Sequence, residues 1–156
     1  MPQADTRHFG TIQYQEADVF HFPRGLPGFD QQRRFLPLAF PHTHPLIFLQ
    51  SIEDPGLCFI TLPVLAADPS YRLELAGEDL ALIGLPRRPQ PRIGEDVLCV
   101  AVLSIREDGP TANLLAPLVV NLRNRLGVQA VSQNSRYSHR HPLGATRPAA
   151  REAVAC

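Results

Sequence analysis

Apolar residues recur at every second position in short stretches of this chain, and proline, glycine and acidic residues separate the stretches. A period of two marks strands, whose side chains point alternately to opposite faces. Gly10 to Gln15 place Ile12 and Tyr14 on one face. Val19 to Phe22 (VFHF) point Val19 and His21 one way and Phe20 and Phe22 the other, and the closeness of the two runs predicts a hairpin. Arg34 to Leu38, Leu46 to Ile52 and Cys58 to Leu62 are further strands, with a turn at Glu53-Asp54-Pro55-Gly56 between the last two. Tyr71 to Leu75 alternate again. Val97 to Ile105 (VLCVAVLSI) are almost continuously apolar, which predicts a strand buried on both faces. Thr111 to Leu122 read as a strand pair or a bent strand broken at Pro117, and Val128 to Gln133 as a last strand. Only Glu78 to Leu85 (EDLALIGL) break the pattern. They predict one short helix, with acids in its first turn and Gly84 at its stop.

Many short strands with frequent turns and one short helix predict an all-β fold, a small antiparallel barrel-like or sandwich domain over residues 1–143. Residues beyond Tyr137 offer little to bury and are expected to be poorly ordered, with 144–156 a disordered tail. The stretch Arg24 to Asp30 (RGLPGFD) crowds two glycines and a proline around Leu26 and Phe29. Gly25 and Gly28 reach positive φ at low steric cost, so the stretch reads as a tight corner with Leu26 and Phe29 as core plugs.

Composition sharpens this. The 156 residues include 16 prolines and 10 glycines, which favours many corners over long helices. All 15 cationic residues are arginine. Net charge is zero but uneven: residues 1–108 hold 14 acids and 9 arginines, whereas 109–156 hold Glu152 and 6 arginines. An acidic body disfavours nucleic acid and suits a basic protein partner. Four acidic doublets sit at turns or at the helix start: Glu53-Asp54, Glu78-Asp79, Glu95-Asp96 and Glu107-Asp108. Together they are the candidate partner-binding residues, a negative rim on a small β-protein.

Catalytic signatures are missing. There is no GxSxG, HExxH or phosphate-binding glycine loop, and Cys58, Cys99 and Cys156 form no CxxC. The pairs His42-Thr43-His44 and His139-Arg140-His141 lack a third ligand at metal spacing and read as ordinary surface histidines. Asn113, Asn121 and Gln129 read as amides bonded across strands or into turns. The chain is therefore expected to be a non-enzymatic, cytoplasmic protein without cofactor or metal. No stretch approaches membrane-spanning length.

GLPGF (Gly25–Phe29), LQS (Leu49–Ser51), NLLAPLVVN (Asn113–Asn121), GVQAV (Gly127–Val131) and Tyr137 with Arg140 and Leu143 resemble, in order and spacing, the flagellar assembly factor family FliW, from about Phe9 to Leu143. The resemblance implies a small β-barrel-like regulator. Its members bind CsrA, a basic dimeric RNA-binding translational repressor, and keep it off flagellin messenger RNA; they also bind flagellin itself. A flagellin-binding chaperone without translational control is the alternative.

Overall fold

The computed structural model describes residues 1–26, 28–133 and 136–144. Among these residues, eleven strands and two short α-helices follow one another. β1 (Gln3–Thr6) and β2 (Gly10–Gln13) form a hairpin of their own, and β3 (Phe20–His21), β4 (Arg34–Leu38), β5 (Ile47–Ser51) and β6 (Cys58–Pro63) form an antiparallel meander. Then come α1 (Val64–Ala67), α2 (Gly77–Leu82), β7 (Val97–Arg106), β8 (Gly109–Ala112), β9 (Leu118–Asn121), β10 (Gly127–Gln129) and β11 (His141–Pro142). The main sheet runs β10-β9-β7-β6-β5-β4-β3, with β8 and β11 branching from β7.

This sheet curls into a half-barrel. Its two ends meet where His21 bridges Leu126 and the His21 N–H donates to the Arg125 carbonyl at 2.9 Å. The concave side holds Phe20, Phe22, Leu26, Phe35, Leu49, Val100, Leu118 and Val120. The other side is covered by α2 and the extended segment 71–75, which bury Tyr71, Leu73, Leu75, Leu80 and Ile83 against Val97, Cys99 and Val119. Thus β7 is buried on both faces, as its unbroken apolar run requires, but only over its first half; Ser104 to Arg106 are exposed.

β7 also explains the break at Pro117. β8 and β9 both pair with it, at Leu103↔Ala112 and Val100↔Leu118. Between these pairs β7 advances three residues and its partner six, so the 113–117 stretch bulges out of an otherwise collinear strand. Within the bulge Asn113 Oδ1 accepts the Ala116 N–H at 2.9 Å, and Gln129 Nε2 donates to the Ala116 carbonyl at 3.1 Å. Asn121 Nδ2 donates to the carbonyl of Ile83, the residue just past α2, at 2.8 Å, pinning the helix end to β9. These amides join turns and strands, as expected of polar groups in apolar surroundings.

Several expectations change. β2 pairs with β1, not with the VFHF run, because Thr6 Oγ1 accepts the Phe9 N–H and Gly10 turns the chain at φ 70, bringing polar Gln3–Thr6 alongside. Tyr71 to Leu75 alternate buried and exposed but join no ladder. Side chains meet their backbone instead: the Arg72 N–H donates to Tyr137 Oη, and Gln90 bonds both the N–H and carbonyl of Leu75. A second helix, the single turn α1, follows Pro63. Residues 138–144 are not loose; β11 pairs with β8, and Tyr137 stacks on Tyr71 at 4.2 Å. Residues 145–156, most of the expected tail, lie outside the described residues.

The corner is real but its plugs differ. Gly25 and Gly28 have φ of 65 and 84, and Leu26 is buried. Phe29 is 41% exposed, its ring edge-on to Phe59 at 5.5 Å, because the Leu26↔Phe29 bridge turns it outward. A buried phenylalanine cut to alanine costs ~3–5 kcal/mol. Phe29→Ala is therefore expected to cost only about 1 kcal/mol, the scale of one aromatic contact, in a urea unfolding curve.

Candidate functional site

Among the described residues, no three of the His, Cys, Asp and Glu side chains group as metal ligands. His42 lies in a 3-10 turn (Pro41–Thr43) with its ring tilted against Phe40, whereas His141 lies in β11. Burial pushes the Cys99 thiol up to about 12, so it stays protonated and inert at neutral pH. Burial likewise raises the Tyr71 hydroxyl, which donates to the Leu114 carbonyl at 2.8 Å. Among the described residues no helix is long and apolar enough to cross a membrane.

The four acidic doublets are all on turns or at a helix start, but they do not make one rim. β6 and β7 are antiparallel, so the Glu53-Asp54 turn before β6 lies at the same end of the sheet as Glu107-Asp108, the tip of the β7–β8 hairpin. Glu95-Asp96 precede β7 at the opposite end, where Asn121, paired with Val97, also holds α2 and hence Glu78-Asp79.

Their duties differ as well. Ser51 Oγ accepts the N–H groups of Glu53 and Asp54, and buried Gln50 donates Nε2 to the carbonyls of Ser51, Asp54 and Pro55; this is the structural work of LQS. Glu53 Oε1 then accepts the backbone N–H groups of Arg33 and Arg34 at 2.9 and 3.0 Å. Asp54 Oδ1 accepts the Gly56 N–H, and Asp96 Oδ2 the Arg92 N–H. Glu95 pairs with Arg92 at 3.1 Å in solvent, a contact of little energetic weight. Asp79 lies 3.5 Å from Arg24; burial raises its carboxyl above the ordinary value, Arg24 pulls it down and Glu78 raises it further. Glu107 and Asp108 are exposed and have no side-chain partner among the described residues. Theirs is the doublet whose charge carries no structural duty.

Sequence reasoning missed a concave opening on the inner side of the sheet. Its cavity is about 280 Å³, floored by Leu26, Phe59, Val102 and Leu118 and edged by Arg106, His139 and Arg140. These positions are scattered along the chain, so no local spacing announces them. The corner glycines were the nearest signal, since Leu26 belongs to the floor.

Comparison with known proteins agrees with this architecture. The family model described as FliW protein matches residues 3–143. A flagellar assembly factor FliW of Syntrophomonas wolfei is 34% identical over 136 residues, 86% of this chain and 83% of the relative. One from Geobacillus kaustophilus is 34% identical over 140 residues, 88% and 92% of the two chains. A crystal structure of the flagellar assembly factor FliW superposes with a TM-score of 0.79 at 31% identity, covering 92% of this chain and 98% of the other. With its half-barrel, its corner at Gly25 and its LQS-braced turn, this chain belongs to the FliW family of flagellar assembly factors.

Proposed function

We propose that this chain is a cytoplasmic, non-enzymatic regulator that binds CsrA and flagellin, relieving CsrA's repression of flagellin translation until flagellin itself captures the factor. The observation that carries the reading is the family match across residues 3–143. Charge supports it: the first 108 residues carry 14 acids against 9 arginines, and a protein that competes for a basic RNA-binding partner gains from being acidic. The excess of arginine after residue 108 favours the second reading, a flagellin chaperone that leaves CsrA alone.

Mixing the purified protein with its cognate CsrA and, separately, with flagellin distinguishes the two. CsrA binding that weakens with added salt supports regulation. Binding of flagellin alone supports the chaperone. The informative charge reversal is at Glu107 and Asp108, not at Glu53 and Asp54. Replacing Glu53 also removes two backbone hydrogen bonds and confounds binding with folding. Glu107→Arg with Asp108→Arg is expected to slow CsrA association about tenfold and flatten its salt dependence, with the melting curve unchanged. An unaltered association rate in stopped flow places that hairpin outside the interface.

A further inference from the structure

The mouth of the half-barrel has a composition of its own. Its floor is apolar, and Phe59 of that floor carries the ring of Phe29, 41% exposed, edge-on against it. Among the described residues no Asp or Glu lines it, while Arg106, His139 and Arg140 do. Neither guanidinium has an ion-pair partner among the described residues. Asn113 has its oxygen engaged by the Ala116 N–H, which leaves its amide N–H groups for the opening. Gln129 offers the opposite, since its Nε2 is bonded and its oxygen is left. Donors thus dominate around an apolar floor. The backbone is also open here. The β6–β7 ladder ends at Thr61↔Val102, so Phe59 and Ser104 lie where the two strands have stopped pairing. Diverging strands leave room for an extended chain.

We propose that this mouth is a docking site for an extended peptide segment in which a large apolar side chain is flanked by carboxylates. The apolar side chain fills the floor, and the carboxylates meet Arg106 and Arg140. Charge selects this occupant over the chain's own residues 145–156 (ATRPAAREAVAC), which carry two arginines, one glutamate and no apolar side chain larger than valine. The proposal assigns an acidic ligand to a mouth whose Arg106 adjoins the Glu107-Asp108 turn, and it stands whether or not CsrA is a partner.

The test is fluorescence anisotropy on the full chain with three labelled hexapeptides: Glu-Asp-Leu-Phe-Glu-Asp, Lys-Arg-Leu-Phe-Lys-Arg and Glu-Asp-Ser-Ser-Glu-Asp. The first is expected to bind, and to weaken with salt. Arg106→Glu with Arg140→Glu, both exposed and without structural bonds from their guanidinium groups, is expected to weaken it at least about tenfold. Glu107→Arg with Asp108→Arg is expected to tighten it. Amide chemical shifts of Val102, Ser104 and Gln129 should move on titration. Equal affinity for all three peptides, no binding of the first, or indifference to the Arg106/Arg140 variant overturns the proposal. So does competition by a peptide of residues 145–156, or sedimentation showing a second copy seated on the mouth.

Discussion

Gly25→Ala is expected to be among the most damaging single-methyl additions in this protein, at least about 3 kcal/mol. The cause is double. Gly25 has φ 65, a conformation that costs an L-residue ~1–2 kcal/mol. A Cβ there would also stand 2.5 Å from the Asp30 Cα and 2.7 Å from its carbonyl oxygen. Those are backbone atoms of a chain crossing over the corner, so neither can swing aside as a long side chain does. Gly28→Ala is the control. Its φ is 84, but nothing lies within 4 Å of the added methyl, so only the backbone penalty applies, ~1–2 kcal/mol. The urea midpoint of the Gly25 variant should fall by about 1 M or more, and that of the Gly28 variant by roughly half as much. Equal midpoints would show that the crossing at Asp30 gives way freely.

The second large effect lies at the closure of the half-barrel. Phe22 is fully buried, edge-on to Phe35 at 5.7 Å, and its ring lies over Gly127, where a Cβ would come within 2.6 Å of Cε2. The glycine of GVQAV is there because a ring fills the space of its side chain. Phe22→Ala is expected to cost ~3–5 kcal/mol and Gly127→Ala ~1–3 kcal/mol. The double variant should cost less than the two together by about 1 kcal/mol or more, since the new methyl then enters the void. Additive losses in a calorimetric cycle would show that the ring and the glycine do not share this space.

What could be read beforehand follows from how locally each feature is encoded. Arg34–Leu38, the strands around the Glu53–Gly56 turn, and the Val97 run announce themselves because one buried face forces alternation, or two force continuity. Gln3–Thr6 gave no such signal: only Ala4 of its four residues is buried, and the partner is chosen by a turn bonded through Thr6. The burial pattern of Tyr71–Leu75 was legible, but not that Tyr137 and Gln90 would take the place of a neighbouring strand. Phe29 misled because composition says how apolar a residue is, not which way a two-glycine reversal turns it. The doublets were rightly placed on turns, but which end of the sheet each turn reaches depends on strand register.

Every open sheet has two flanks of unpaired peptide groups that invite another copy to add on, and lysines are a common deterrent. This chain has no lysine at all. Its flanking strands are two and three residues long, and the His21–Arg125 bond folds one toward the other. Resistance to fibril-like stacking is thereby built into the curl itself, so the exterior is free to carry whatever charge pattern recognition requires.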